Sequence, residues 1–205
     1  MGPSDIILRM SSNKFETLIM ELRAAELVRS IRDFVVGESV LDVGSGSGFI
    51  AKALRDQFLR SNDAKTVKCV DVKNYHKVDL PFQMYDGLSL PFEDNSFDTV
   101  IFVYVLHHTD NQHQLLTDAK RVARSRVLVV EDLFVGNWNR KWLSVLDFVI
   151  NRMYHNVVTP LTFRDFIGWN SFLCGLGFRK VTSRDLRVGL LTKLGIKKVL
   201  FCCEI

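Results

Sequence analysis

The chain has 205 residues, of which 47% are hydrophobic and 24% are charged. This length and composition suffice for one buried core, which excludes a disordered or fibrous protein and predicts a single domain over residues 1–205. The net charge is +4, but residues 133–205 carry eleven Lys and Arg against four Asp and Glu. No apolar run is long enough to span a bilayer and no secretory signal is evident, so we expect a soluble, cytoplasmic protein.

The first part of the chain alternates between helical and strand-like apolar patterns. Residues 14–34 repeat apolar side chains at near-helical spacing, which predicts an N-terminal helix. Residues 39–43 form a short apolar run typical of a buried strand, and 49–59 return to helical spacing. A second strand is predicted at 66–71.

The alternation of strands and helices continues, with a gap where one crossover helix is missing. Residues 74–80 are too short and polar for a full crossover helix. Strands are predicted at 82–85, 97–105 and 126–132, and a helix at 111–123 lies before the last of them. Strands that alternate with helices indicate βαβ units and a mainly parallel sheet with right-handed crossovers.

The final third has a different pattern. Residues 138–154 predict an amphipathic, aromatic-rich helix, and 162–176 predict a second helix that Thr162 and Asp165 are placed to cap. Two strands then follow close together in the sequence. They predict a hairpin that gives the sheet an antiparallel edge, at residues 178–185 and 197–204.

The most specific motif lies between the first strand and its helix. It is an acid followed by three glycines at alternate positions: Asp42, Gly44, Ser45, Gly46, Gly48. Glycines allow a tight turn and let a ligand approach main-chain N–H groups. The dinucleotide fingerprint GxGxxG would need a third glycine where Phe49 stands, and the acid would repel a pyrophosphate. The motif therefore favours a cationic, zwitterionic ligand over NAD.

This loop resembles motif I of the class I S-adenosylmethionine-dependent methyltransferases. Three later stretches follow in the family's order. Residues 68–72 resemble the end of the family's second strand, whose acid, here Asp71, binds both ribose hydroxyls. Residues 85–92 are similar to the loop whose acid, here Asp86, binds the adenine amino group. Residues 98–108 resemble the fourth strand and following turn of the small-molecule "type 11" branch.

The resemblance implies S-adenosylmethionine as cofactor and S-adenosylhomocysteine as product. It also implies a Rossmann-like, doubly wound α/β fold with a mainly parallel seven-stranded sheet, an antiparallel C-terminal edge hairpin and an N-terminal helix. No metal site is predicted, because the cysteines show no ligand spacing. The cofactor-binding residues that the resemblance implies are Asp42, Gly44, Ser45, Gly46, Gly48, Asp71, Val72, Asp86, Gly87, Phe102 and Tyr104.

Within the single domain we expect four segments. Residues 1–36 form the N-terminal helix and a possible lid, and 37–132 form the cofactor-binding core. Residues 133–160 are an aromatic-rich insertion where such enzymes build the acceptor pocket, and 161–205 supply the C-terminal helix and strand pair. The aromatic insertion suggests a small, apolar or aromatic acceptor.

Methyl transfer by in-line displacement needs a general base only when the acceptor holds a proton that it does not readily lose. The candidates are His107 and His108, just after the fourth strand, and His155. A histidine can take a proton at neutral pH. Each of the three can instead be structural, since a His-His pair is common at this turn in the family's small-molecule branch.

Three other functions stay open. A scaffold could keep the cofactor without catalysis, and a nicotinamide-dependent oxidoreductase is disfavoured by Asp42 and Phe49. An RNA-directed methyltransferase is compatible with the basic final third. However, the Asn/Asp-Pro-Pro-aromatic tetrapeptide of amino-methylating nucleic-acid enzymes is absent after the fourth strand. The oligomeric state is left open.

Overall fold

The computed structural model describes residues 3–133, 162, 164–188 and 197–205, with side chains described from residue 14 onward. The predicted helix at 138–154 and His155 lie outside these residues. No helix in the described ranges is long and apolar enough to cross a membrane.

The first half alternates helices and strands as predicted. A long N-terminal helix is followed by strand–helix–strand–strand, in the order α1 Pro3–Ile31, β1 Ser39–Val43, α2 Phe49–Arg60, β2 Thr66–Asp71 and β3 Phe82–Met84. The expected gap is confirmed, because residues 72–81 contain no helix. The chain therefore passes from β2 to β3 through a short irregular connection.

The second half completes the sheet. Its elements are β4 Phe97–Val103, α3 Gln112–Val122, β5 Ala123–Leu133, α4 Phe166–Gly175, β6 Lys180–Leu186 and β7 Lys197–Glu204. A single 3-10 turn, Leu106–His108, follows β4. This turn and the loop after β1 lie at the same edge of the sheet.

The seven strands form one sheet in the order β3-β2-β1-β4-β5-β7-β6. The first five pair in parallel, and β7 pairs antiparallel with both β5 and β6. The predicted antiparallel edge is confirmed. The direction of winding reverses between β1 and β4, and ligands of open α/β sheets bind in the crevice at the carboxyl ends of the strands at such a point.

Two apolar clusters cover the two faces of the sheet. Leu41, Phe102 and Trp169 belong to one cluster, which packs against α3 and α4. Val40, Ile101 and residues of α1 and α2 belong to the other. Burial on both faces explains why the central strands read as continuous apolar runs.

Several element boundaries differ from the predictions; β4 ends at Val103 rather than at residue 105, and β5 begins at Ala123 rather than at residue 126. The N-terminal helix begins at Pro3 rather than near residue 14, and the chain turns into a 3-10 helix after Ile31. The last helix begins at Phe166, because the Asp165 carboxylate accepts a hydrogen bond from Gly168 N at 2.7 Å. Thr162 does not cap this helix; its N–H and hydroxyl donate to the carbonyl oxygen of His107.

The four cysteines are free thiols. Cys69, Cys202 and Cys203 are buried, and burial raises the pKa of the Cys69 and Cys203 thiols to about 12. Cys174 is exposed.

Asp98 joins the amino ends of β1 and β4. Its carboxylate accepts hydrogen bonds from Glu38 N at 2.8 Å and from Ser39 N at 3.0 Å, and it pairs with Arg124. Burial acts to raise the pKa of Asp98, but the hydrogen bonds from Glu38 and Ser39 outweigh it and lower that pKa to about 2. The ionised carboxylate is thus the form that holds the two strands together.

We expect Asp98→Ala to lower the free energy of unfolding at pH 7 by about 2 kcal/mol, because two backbone N–H groups lose their acceptor. Since the folded-state pKa is lowered, the contribution of Asp98 is present above its usual pKa range and is lost as pH falls from about 4 to about 2. Urea unfolding at several pH values measures this. Exposed Asp110→Ala serves as control, and equal stability of the two variants at pH 7 would contradict the assignment.

Candidate functional site

The glycine-rich loop joins β1 to α2 and is anchored on β2. Gly44 N and Ser45 N both donate to the carbonyl oxygen of Val70, at 2.8 Å and 3.1 Å. Gly48 N donates to Ser45 O at 2.9 Å and closes the turn before α2 begins. The loop is thereby held at the carboxyl edge of the sheet by main-chain hydrogen bonds.

At two positions of the loop only glycine fits, because a Cβ would collide with a neighbouring side chain. Gly44 and Gly48 have φ of 71° and 81°, in the left-handed region. A Cβ at Gly44 would lie 2.6 Å from Val105, and one at Gly48 would lie 2.6 Å from Val78. At Gly46, by contrast, a Cβ would meet nothing within 4 Å, so this residue borders open space that a ligand can occupy.

Asp42 is a buried acid directly before the loop. It is 2% exposed, and its Oδ2 has no hydrogen-bond partner among the described residues. Burial, and then the neighbouring Asp71 carboxylate, raise the pKa of Asp42 to about 7. A buried acceptor without a partner is costly, which is typical of a group that a ligand completes. A cationic or hydrogen-bond-donating ligand fits this position.

Asp71 is the second acid of the site, at the end of β2. Its Oδ2 accepts a hydrogen bond from Gly46 N at 2.8 Å, and its Oδ1 accepts one from Lys73 N at 3.3 Å. An ionised carboxylate offers about four acceptor positions. Asp71 therefore orders the loop and retains capacity to accept hydrogen bonds from a ligand's hydroxyl groups.

A third acid follows β3. The Asp86 carboxylate accepts hydrogen bonds from Ser89 N and Leu88 N, both at 2.8 Å, and these lower the pKa of Asp86. The adjacent Gly87 has φ of 82°, and a Cβ there would lie 3.1 Å from Val72. Asp86 thus stands on an ordered turn beside the exposed apolar side chain of Val72.

The end of β4 supplies the remaining predicted cofactor residues. Phe102 is fully buried in the core cluster with Val43 and Val70, so we expect it to act by packing beneath the site. Tyr104 has φ of 57°, a conformation uncommon outside glycine, and Lys198 Nζ lies 4.4 Å from its ring centroid. Burial raises the pKa of Tyr104 well above its usual value, so its hydroxyl stays a donor.

The two histidines after β4 differ in their surroundings. His107 is 2% exposed, and its Nδ1 lies 2.5 Å from Glu131 Oε2. His108 is half-buried, and the two imidazole ring centroids are 4.0 Å apart. Their proposed role as a general base stays a prediction, as does that of His155.

The sequence interpretation missed two groups around this turn. One is Glu131, a fully buried acid on β5 whose only sequence signal is its place at the end of the apolar run 127–130. The other is Gln112, whose Nε2 donates to Leu106 O at 2.8 Å and to Thr162 Oγ1 at 2.7 Å. Nothing in the sequence spacing indicated that Thr162 and Gln112 meet.

Comparison with known proteins agrees with this geometry. Residues 41–130 match the family described as "Methyltransferase domain". A tRNA (carboxymethyluridine(34)-5-O)-methyltransferase of Schizosaccharomyces pombe is 26% identical over 104 residues, covering 51% of this chain and 44% of the relative. A ubiquinone/menaquinone biosynthesis C-methyltransferase of Desulfotalea psychrophila is 28% identical over 105 residues, covering 45% of this chain and 43% of the relative. The chain thus spans less than half the length of these curated relatives.

The fold is also found among solved structures. A Thermotoga maritima protein described as a SAM-dependent methyltransferase, possible histamine N-methyltransferase, superposes with a TM-score of 0.67 at 14% identity. The match covers 96% of each chain. At this identity the likeness shows the fold alone, a Rossmann-like α/β fold.

The packing of the loop gives a direct prediction. Gly44→Ala places a methyl group against Val105 at a left-handed φ, so we expect the free energy of unfolding to fall by about 2 kcal/mol. Gly175→Ala is the matched control, because a Cβ there would meet nothing within 4 Å. Urea unfolding of both variants checks this, and equal effects of the two substitutions would show that the loop is not tightly packed.

Proposed function

Because residues 41–130 match the family described as "Methyltransferase domain", we propose that this chain is a class I S-adenosylmethionine-dependent methyltransferase of the type 11 branch. It would transfer a methyl group from S-adenosylmethionine to a small, apolar or aromatic acceptor. The observation that carries the proposal is the pair of acids flanking the glycine loop. Asp42 is buried without a hydrogen-bond partner in the described part of the chain, and Asp71 holds Gly46 N at 2.8 Å.

The residues at the carboxyl edge fit the cofactor. The unpartnered oxygen of Asp42 suits the cationic, amino-acid end of the molecule, and the open space at Gly46 lets it approach the main chain. The two oxygens of Asp71 suit the two ribose hydroxyls. Asp86, Gly87 and the apolar surface of Val72 would border the adenine.

When bound, S-adenosylmethionine supplies an activated methyl group, so the protein has mainly to align the acceptor and exclude water. Main-chain anchoring of the glycine loop on Val70 O fixes the position of the cofactor site. The turn at His107 and His108 follows the strand next to β1, where a base would meet the acceptor. We propose one of these histidines, or His155, for an acceptor that must lose a proton.

An apolar acceptor is supported by the surface near the loop. On α1, Phe15 and Leu22 are 66% and 61% exposed. Glu21, in the same part of α1, lies 3.4 Å from Lys52 in the first turn of α2. This apolar stretch is therefore close to the helix that the glycine loop opens. We propose that it acts as a lid and that residues 133–160 complete the acceptor pocket.

A second candidate is methyl transfer to RNA. The tRNA methyltransferase of Schizosaccharomyces pombe is among the relatives, and residues 133–205 carry eleven basic against four acidic side chains. RNA binding through such a surface weakens steeply with salt. A scaffold that binds the cofactor without turnover is the third possibility. A turnover assay with apolar small molecules and with bulk tRNA separates all three.

Calorimetric titration with S-adenosylmethionine, S-adenosylhomocysteine and NAD tests the cofactor assignment. We expect micromolar binding of the first two, none of NAD, and a loss of at least tenfold in Asp71→Asn, because an amide cannot offer the same acceptors to Gly46 N and two hydroxyls. Asp33→Asn, at an exposed carboxylate, is the control. Binding of NAD, or unchanged affinity in Asp71→Asn, would overturn the assignment.

The raised pKa of Asp42 predicts that cofactor binding depends on pH. Below about pH 7 the free protein carries a neutral Asp42, and its attraction for a cationic ligand is lost. We expect affinity for S-adenosylmethionine to be constant above about pH 8 and to fall by about tenfold between pH 8 and 6. Calorimetry at several pH values measures this.

Asp42→Asn should remove most of that dependence. Burial raises the pKa of Asp42 in the folded protein above its pKa in the unfolded chain, so ionised Asp42 destabilises the ligand-free protein at pH 8. We therefore expect Asp42→Asn to unfold at a higher urea concentration than the wild type at pH 8. A pH dependence that persists in Asp42→Asn would assign it to another group.

A further inference from the structure

The guanidinium of Arg121, in the last turn of α3, binds the segment that joins β3 to β4. Its Nη1 donates to Phe92 O and to Asp94 Oδ1, both at 2.8 Å, and its Nη2 donates to Leu90 O at 3.1 Å. Its Nε donates to Asp118 Oδ1 at 2.7 Å, one turn earlier on the same helix. One side chain therefore binds three alternate residues of this segment.

Asp118 completes this arrangement from the same helix. Its Oδ2 accepts a hydrogen bond from Leu90 N at 2.5 Å, while its Oδ1 accepts from Arg121. Leu90 thus has its N–H bound by Asp118 and its carbonyl oxygen bound by Arg121. Its side chain is 2% exposed and belongs to the core cluster on the α3 face of the sheet. Leu90 is therefore fixed at both its backbone and its side chain.

The residues just before Leu90 form the turn that carries Asp86. The Asp86 carboxylate is exposed, and its Oδ1 accepts both hydrogen bonds of the turn, from Leu88 N and from Ser89 N. Neither bond engages the second oxygen, and an ionised carboxylate can accept further hydrogen bonds. Because Leu90 directly follows Ser89, the anchored residue ends the turn.

The outer side of this turn is not closely packed on α3. A groove of about 340 Å³ lies between them, with Leu88 and Ser89 on one side and His113 and Thr117 on the other. Leu88 is also 37% exposed. The polar contacts at Leu90 therefore bear directly on where the turn lies relative to the sheet.

We propose that Asp118 and Arg121 are positioning residues for recognition of the adenine: they hold the turn 86–89 so that the Asp86 carboxylate meets the amino group of the base. This inference rests on the proposed function, since it needs an adenine beside Asp86. Neither residue of α3 touches the cofactor in this arrangement. Hydrogen bonds weaken steeply when their geometry is lost, so a small displacement of the turn is enough to lose this contact.

A purely structural role for the two α3 residues predicts a different result. Loss of stability lowers the fraction of folded protein, so it weakens the binding of every ligand by the same factor. A positioning role predicts a loss confined to ligands that carry the amino group. The ratio of the affinities for two such ligands therefore separates the two roles.

Calorimetric titration with S-adenosylhomocysteine and with S-inosylhomocysteine measures this ratio. The second ligand has a carbonyl oxygen in place of the amino group, and a carboxylate repels this acceptor. We expect the wild type to prefer S-adenosylhomocysteine by at least about tenfold. The preference should fall below about threefold in Arg121→Lys, since lysine keeps the charge but not the fork of donors. Asp118→Asn should act in the same way, because its amide accepts at one end only.

Arg124→Lys is the matched control, because the Arg124 guanidinium binds the same segment further along, at Asn95 O and at the Asp98 carboxylate. This variant should keep the wild-type preference. Asp86→Ala should abolish the preference by itself. Adding Arg121→Lys to Asp86→Ala should change the ratio no further, because both substitutions act through the same contact.

The outcomes separate this inference from the methyltransferase assignment. If Arg121→Lys and Asp118→Asn weakened both ligands equally, or kept the wild-type preference, the positioning role would be wrong while the cofactor assignment stood. Equal affinity of the wild type for the two ligands would show that Asp86 does not read the amino group, and would overturn the inference in the same way. Failure of the wild type to bind either ligand would overturn the proposed function, and this inference with it.

Discussion

The hydrogen bond from Gly46 N to Asp71 Oδ2, at 2.8 Å, is the contact on which the rest of the site depends. It joins the loop after β1 to the end of β2, next to the two N–H groups that donate to Val70 O. The loop is thus held by hydrogen bonds to the Val70 carbonyl oxygen and to the Asp71 carboxylate. Its surface at Gly46 remains open. A rigid loop with one open position is suited to bind a small ligand without reorganising.

The second constraint is electrostatic. Asp42 and Asp71 lie on neighbouring strands, and the charge of Asp71 helps to raise the pKa of Asp42. Asp42 is also buried, and one of its oxygens has no hydrogen-bond partner in the described part of the chain. Such an arrangement costs stability in the ligand-free protein and is offset when a cation binds. On the opposite side of the loop lies another buried acid, Glu131. Unlike Asp42, it has a partner within the protein, His107. The carboxyl edge thus has one buried acid with an oxygen that lacks a partner among the described residues, and one buried acid that is hydrogen-bonded by the protein.

Much of the architecture could be predicted because the central strands are buried on both faces and read as apolar runs between breakers. The late pair β6 and β7 was predictable from its position in the chain, and the cofactor loop from its glycines. The start of α1 was not, because proline is tolerated in the first turn of a helix and gives no stop signal at Pro3. The Glu131–His107 pairing depends on the register of β4 on β5, which spacing along the chain does not encode.

The most direct test of this account is a crystal structure with S-adenosylhomocysteine bound. We expect the amino-acid end of the ligand at Asp42 and Gly46, both ribose hydroxyls on the Asp71 carboxylate, and the adenine between Val72 and Asp86. Binding at another surface, or in this crevice with no contact to Asp71, would contradict the central claim that the two acids and the glycine loop form a cofactor site.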